Sequence, residues 1–333
     1  MGNTNTKPFG VKDKIGYMCG DIANDFTFIF ASSYVMVFYT KVMGVSAGMV
    51  GTMFLLARCL DAFTDIGMGR IVDNSKPTRN GRIRPWIIRM CAFVALASFL
   101  MYQSFLVDAP YAARVAYMFI TYILWGSIFY TSVNIPYGSM ASVISSEPKD
   151  RSSLSVFRSL GGTLAGILIG MLAPMVVYYT DEAGNKVVSA SRISMLAGIF
   201  SVFAVICYLL CYTLTTERVE YVPKPDVQKK TFGQTISALF SSRSLMGLIL
   251  SAVLLLLASL MSQGINQYLF ADYFKNTAAL SVYSLLMLPC VLVLSAVSTK
   301  LAVKFGKREC SYIGMFISAG LYFIIGLLHV KNV

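Results

Sequence analysis

Arg58, Asp61 and Asp65 stand three and then four residues apart, inside an apolar stretch from Ala47 to Val72 whose only other charge is Arg70. At 3.6 residues per turn this spacing puts all three on one helix face. Ionisable groups at membrane depth are costly unless they face a polar interior, so their default reading is functional. The triplet carries a formal charge of −1, which one Na⁺ or one H⁺ cancels. Two carboxylates four residues apart in a low-dielectric cavity cannot both ionise cheaply. Such a site crosses the bilayer interior easily when loaded and at high cost when empty. The competing reading is a structural Arg–Asp pair that locks helix packing.

A second set of polar residues lies in other apolar stretches. Asp25 sits about two turns into the first of them, and its carboxylate can accept two hydroxyl groups in a bidentate bond. Its alternative role is partner to Arg158, which stands in the fifth stretch. Asp21, one turn nearer the N-terminus, reads as a snorkelling or gating charge. Asn134 offers both a donor and an acceptor, and Pro136-Tyr137-Gly138 just beyond it predicts a break in the fourth helix that bares backbone to a cavity. Tyr34, Tyr39, Tyr130 and Tyr137 could stack on or hydrogen-bond a ligand. The basic turn Lys76–Arg84, with Asp73, could latch the cytoplasmic side or simply set topology.

The elements that must position these groups are long and apolar. Of the 333 residues, 56% are hydrophobic and 13% charged, where soluble chains average about a quarter charged; mean hydropathy is +0.66. Stretches long enough to span fall near 17–40, 47–72, 86–107, 112–142, 153–179, 193–215, 245–271, 279–299 and 310–330. Met1–Gly10 is polar with no cleavage-site pattern, so the first helix serves as its own insertion signal. Met1–Thr6 fits a loose N-myristoylation pattern, but an acyl chain adds little to an embedded protein.

With the N-terminus in the cytoplasm, 20 Lys and Arg residues fall inside and six outside, leaving Arg58 and Arg158 within spans. That asymmetry fixes orientation, and it assigns the net charge of +12 to topology and anionic lipid rather than nucleic acid. Seven cysteines lie in or beside apolar stretches, and the single histidine is His329. No histidine-based metal site, triad or other catalytic constellation can be assembled, so an enzyme is not expected. Thr216–Arg243, with Pro223-Lys224-Pro225-Asp226, is the longest polar segment and divides 1–215 from 244–333. Gly69-Arg70 and Arg82-Ile83-Arg84 after the second span parallel Gly306-Lys307-Arg308 after the eighth, a weak internal repeat.

Several motifs carry a family resemblance. Gly69-x-x-x-Asp73 with its basic turn resembles the loop between helices two and three of the major facilitator superfamily. Gly20-Asp21 with Asn24-Asp25-Phe26, Val50-Gly51-Thr52-Met53-Phe54 with Ala57-Arg58 and Asp61–Asp65, Arg84-Pro85-Trp86, and Asn134–Ser139 resemble one branch of it. That branch is the glycoside–pentoside–hexuronide:cation symporters, which include the melibiose carrier. The resemblance implies an all-α membrane fold of twelve helices, of which nine are present, with the C-terminal bundle truncated. It implies a cation site at Asp61, Asp65, Thr64, Thr131 and Asn134, with Na⁺ possible at the two aspartates. It implies substrate contacts at Asp25, Asn134 and Arg158. Arg58, Asp73, Arg79, Arg82 and Arg84 take structural or gating roles. Asn134 replaces an aspartate of the melibiose carrier, and Gly138 replaces a tryptophan.

The expected function is secondary transport of a sugar with H⁺ or Na⁺ in the cell membrane, by a monomer if complete. The expected partners are the sugar, the coupling cation and the bilayer, with no cofactor and no nucleic acid. The alternative is a transport-incompetent fragment or a sugar-sensing membrane protein.

Overall fold

The structure is a computed structural model that describes residues 8–78, 81–180, 182, 186–219 and 241–328. Among the described residues the chain forms nine helices and one small hairpin. The helices are α1 (Val11–Val42), α2 (Ala47–Asp73), α3 (Arg84–Leu100), α4 (Tyr111–Ile144), α5 (Pro148–Val177), α6 (Ala190–Leu214), α7 (Arg243–Tyr273), α8 (Thr277–Phe305) and α9 (Lys307–Leu328). A helix thus occupies every stretch expected from the sequence. Six of them (α1, α2, α4, α5, α6 and α7) are long and apolar enough to cross a membrane. α3 has 17 residues, because the chain leaves the helix at Met101 and turns through Ala109 instead of running on to residue 107.

Local chemistry sets the boundaries. The Ser46 hydroxyl accepts from the Met49 N–H at the start of α2, satisfying one of the donors a helix leaves orphaned. Pro85 and Pro148 open α3 and α5, where a missing N–H costs nothing. Between α5 and α6 the chain forms an antiparallel hairpin, β1 (Tyr178–Thr180) and β2 (Lys186–Val188), with Tyr178 opposite Val188. The sequence reading carried the fifth helix through this point and gave no hint of strands.

α1 lies at the centre, packed against α5 and α6, while α3 packs on α6 and α4 on α2 and α3. Its buried residues run along most of its length, from Tyr17 through Phe30 and Tyr34 to Tyr39. Tyr34 and Tyr39 are therefore core side chains, and the Tyr39 hydroxyl donates to the Met101 carbonyl at 2.9 Å. α2, by contrast, is largely uncovered.

α7 and α8 meet the first six helices along one side. Ser281 of α8 donates to the Met171 carbonyl of α5, and Thr40 of α1 bonds the Tyr268 hydroxyl of α7 at 3.0 Å. Lys41 pairs with Asp272 at 2.9 Å. These contacts lie towards the C-terminal ends of α1, α5 and α7.

The fourth helix is irregular, but not where proline predicted. It runs without a break through Pro136 to Ile144, and the irregular turn is a π-helical segment one turn earlier, Leu124–Tyr130. A proline ring removes one bond and crowds the preceding turn; here a helix already widened upstream accommodates it.

Candidate functional site

The triplet on α2 meets α4. Arg58 Nη1 lies 3.0 Å from Asp61 Oδ2, and the Ser127 hydroxyl donates to Asp61 Oδ1. Four residues on, the Thr131 hydroxyl donates to Asp65 Oδ1 at 3.0 Å. Both hydroxyls come from the π turn or the residue following it, a distortion that recurs at functional sites. Asp61 is thus committed on both oxygens, whereas one oxygen of Asp65 carries no hydrogen bond among the described residues. The cluster offers carboxylate and hydroxyl oxygens, the donor set that hard cations take.

Three observations bear on the expected site. Thr64 is adjacent, yet its hydroxyl turns back onto the Leu60 and Asp61 carbonyls at 3.3 and 3.2 Å, a common way for a helical threonine to satisfy itself. Asn134 makes no hydrogen bond among the described residues and is half-buried. The triplet is also less enclosed than a low-dielectric cavity requires, since Arg58 and Asp65 are exposed on the uncovered face of α2. Ser127 was missed; it stands four residues before Thr131, so the spacing that placed Thr131 on the α2-facing side also places Ser127 there.

A second cluster joins α1 to α5. Arg158 Nε donates to Asp21 Oδ1 at 2.9 Å, so its acidic partner is Asp21 rather than Asp25. Asp21 is buried and holds an ion pair across two helices; it is not a snorkelling charge. The Arg158 guanidinium stands 5.3 Å from the Tyr137 ring centroid, within cation–π range. Tyr137 in turn stacks on Tyr17 at 4.7 Å and donates to its carbonyl. Asp25 forms no hydrogen bond among the described residues. Its Oδ2 crowds Gly162 of α5, where an added Cβ would fall 2.6 Å away. Tyr130 stacks on Phe28 of α1, close to this cluster, while Tyr137 is fully buried.

The residues of the loop between α2 and α3 separate into different roles. Arg82 reaches Asp73, with 4.0 Å between charged atoms and a bond to the Asp73 carbonyl. Arg84 turns instead to the Tyr212 carbonyl and ring. Arg79 lies outside the described residues. The anchor of this loop is Glu217, which the sequence did not single out. Its carboxylate accepts the backbone N–H groups of Arg82, Ile83 and Arg84 at 2.8, 2.9 and 2.7 Å. An anion at a helix N-terminus is favoured by the macrodipole as well as by the bonds. Gly81 permits the approach: its φ is +107°, and a Cβ there would lie 2.5 Å from the Glu217 carboxylate. Beside it Arg218 grips Asp13 of α1 through two 2.9 Å bonds.

Curated proteins of related sequence are transporters or carriers by name. The chain is 31% identical over 309 residues, 92% of its length and 62% of the relative's, to the isoprimeverose transporter of Lactiplantibacillus pentosus. It is 29% identical over 314 residues to a glucuronide carrier protein homolog of Escherichia coli K12, covering 93% of this chain and 66% of that one. It is 36% identical over 213 residues, 64% of this chain and 45% of the relative, to the inner membrane symporter YicJ of the same organism. The chain spans about two thirds or less of the length of these relatives. The symporter-branch resemblance carried by the motifs agrees with these names. The model of the family described as MFS/sugar transport protein matches residues 16–333, and the chain belongs to that family.

Proposed function

We propose that the chain is the larger part of a cation-coupled sugar symporter that works by alternating access. In this reading all nine helices cross the plasma membrane, the N-terminus is cytoplasmic, and segment 216–243 joins a six-helix unit, 1–215, to the start of a second, 244–333. The transported solute is a glycoside, pentoside or hexuronide, and the coupling ion is H⁺ or Na⁺. The observation that carries the reading is the convergence of Asp61, Asp65, Ser127 and Thr131 on one face of α2 and α4, one helix away from Asp25 and Arg158.

The roles follow from the contacts. Arg58 balances Asp61, so one monovalent cation neutralises what remains at Asp65, and Thr131 supplies a neutral oxygen beside it. Asn134, whose side chain has no hydrogen-bond partner among the described residues, is available to either the cation or the sugar. Asp25, likewise without a donor among the described residues, accepts sugar hydroxyls. Arg82, Asp73 and Glu217 hold the cytoplasmic loop, and the Lys41–Asp272 pair joins α1 to α7 at the other end.

The test is counterflow of radiolabelled glycosides in proteoliposomes, with and without imposed Na⁺ or H⁺ gradients. Exchange accelerated by an ion gradient is the expected result. Binding without exchange would support a sugar-sensing protein instead, and the absence of both for every glycoside would refute the sugar reading.

A further inference from the structure

We propose that Asp21 is the charge-selectivity residue of the sugar site: by holding Arg158 it leaves Asp25 an unpaired acceptor and selects uncharged glycosides over uronides. The inference rests on the sugar-transport reading of the same site. Its starting point is a competition between two carboxylates for one guanidinium. Asp21 and Asp25 stand one turn apart on α1, and both face Gly162 of α5, where a Cβ would lie 3.1 Å from Asp21 Oδ2 and 2.6 Å from Asp25 Oδ2. Arg158 stands one turn before Gly162 on the same helix, so either carboxylate is within its reach in principle.

Asp21 takes it. The Nε–Oδ1 distance is 2.9 Å, and the Asp21 side chain is the more buried partner, 11% exposed against 42% for Arg158. The guanidinium is held from a second direction by the Tyr137 ring, itself fixed by its stack on Tyr17 and its bond to the Tyr17 carbonyl. Arg158 is thereby positioned by protein groups on two sides, and its charge is already compensated.

The result is a cluster of two carboxylates and one guanidinium. Asp25 is half-buried and has no protein donor among the described residues, so its carboxylate is open to an outside donor. Paired hydroxyls of a sugar supply what it lacks. A uronide brings a further negative charge to a cluster whose cation is already committed to Asp21. Like-charge juxtaposition is the usual way a site rejects a near-isosteric ligand. Removing the Asp21 charge releases Arg158, which then either neutralises Asp25 or pairs with a uronide carboxylate; each outcome erodes discrimination.

The experiment uses the full chain in lipid nanodiscs and two matched pairs of probes: phenyl β-D-glucoside with phenyl β-D-glucuronide, and phenyl β-D-galactoside with phenyl β-D-galacturonide. Members of a pair differ only at C6. Dissociation constants for the unaltered chain are expected to favour the neutral member by about tenfold or more, roughly 1.4 kcal/mol. Asp21→Asn is expected to cut that ratio by about tenfold, and Asp21→Glu to keep it. A merely structural role would lower both affinities together and leave the ratio unmoved.

Equal affinities, or preference for the uronide, in the unaltered chain would overturn the proposal while leaving the sugar reading intact. An unchanged ratio in Asp21→Asn would do the same. If Asp21→Asn does not yield folded protein, the ratio in the unaltered chain still decides. Binding of no probe at all would overturn the sugar reading, and this inference with it.

Discussion

The two ion pairs at opposite ends of α1 ought to differ sharply in energy, and a pair of double-mutant cycles measures the difference. Asp13 and Arg218 have side chains 3% and 15% exposed. Asp13 accepts four bonds: two from Arg218 at 2.9 Å, one from the Thr216 N–H at 3.1 Å and one from the Gly10 N–H at 3.1 Å. Arg218 also donates to the Thr216 and Pro8 carbonyls. Removing one member of such a buried pair strands the other, at about 3–5 kcal/mol. The coupling energy should be smaller, about 2–3 kcal/mol, because Asp13 keeps two backbone donors when Arg218 is gone. Lys41 and Asp272 are 45% and 47% exposed, and water screening limits an exposed pair to roughly 0.2–1 kcal/mol.

The assay is unfolding of the purified chain followed by a thiol-reactive fluorophore, since Cys19, Cys91 and Cys211 are buried and free. Asp13→Ala, Arg218→Ala and their double form one cycle; Lys41→Ala, Asp272→Ala and their double form the other. High salt should shrink the second coupling much more than the first. A coupling below about 0.5 kcal/mol for Asp13–Arg218, or equal couplings in the two cycles, would refute the assignment of this clasp as a buried bidentate pair.

Further outcomes are expected at the proposed sites. Asp61→Asn and Asp65→Asn should each abolish ion-driven accumulation of sugar in vesicles while membrane insertion persists; retained uphill uptake in both would dismiss the coupling role. Gly162→Ala, whose methyl would press on Asp25 from 2.6 Å, should weaken glycoside binding by about tenfold, the scale of one lost charge-assisted bond. Unaltered glycoside affinity in that variant would show that the Asp25 carboxylate takes no part in binding.

What the sequence disclosed depended on how far apart the partners lie along the chain. Arg58–Asp61 is an i, i+3 pair, and helical periodicity alone puts it on one face. Apolar length located the helices for the same reason: both signals are local. Arg158 and Asp21 are 137 residues apart, and nothing in spacing says which of two neighbouring aspartates α5 will meet. Glu217 was invisible because its role is to accept backbone N–H groups, which have no sequence signature on the receiving side. The π turn at Leu124–Tyr130 contains no proline; the legible breaker, Pro136, lies in regular helix. The motif resemblance named Asp21's neighbour Asp25 and Arg158 together, but it did not carry the identity of Arg158's partner.

α4 is the element through which the proposed cation and sugar sites can communicate. Ser127 and Thr131 engage the two carboxylates of α2. Tyr130 stacks on Phe28 of α1 at 5.5 Å, and Tyr137, two turns on, supports Arg158 while bonding α1. A cation that draws Asp65 and Thr131 together acts on the same rigid helix that carries the Arg158 platform. The π turn supplies a place where that helix can change its winding without breaking its hydrogen bonds wholesale. Coupling then needs no direct contact between ion and sugar. It needs only that α4 have two windings, that the cation prefer one of them, and that Tyr137 present Arg158 and Asp21 correctly in that one.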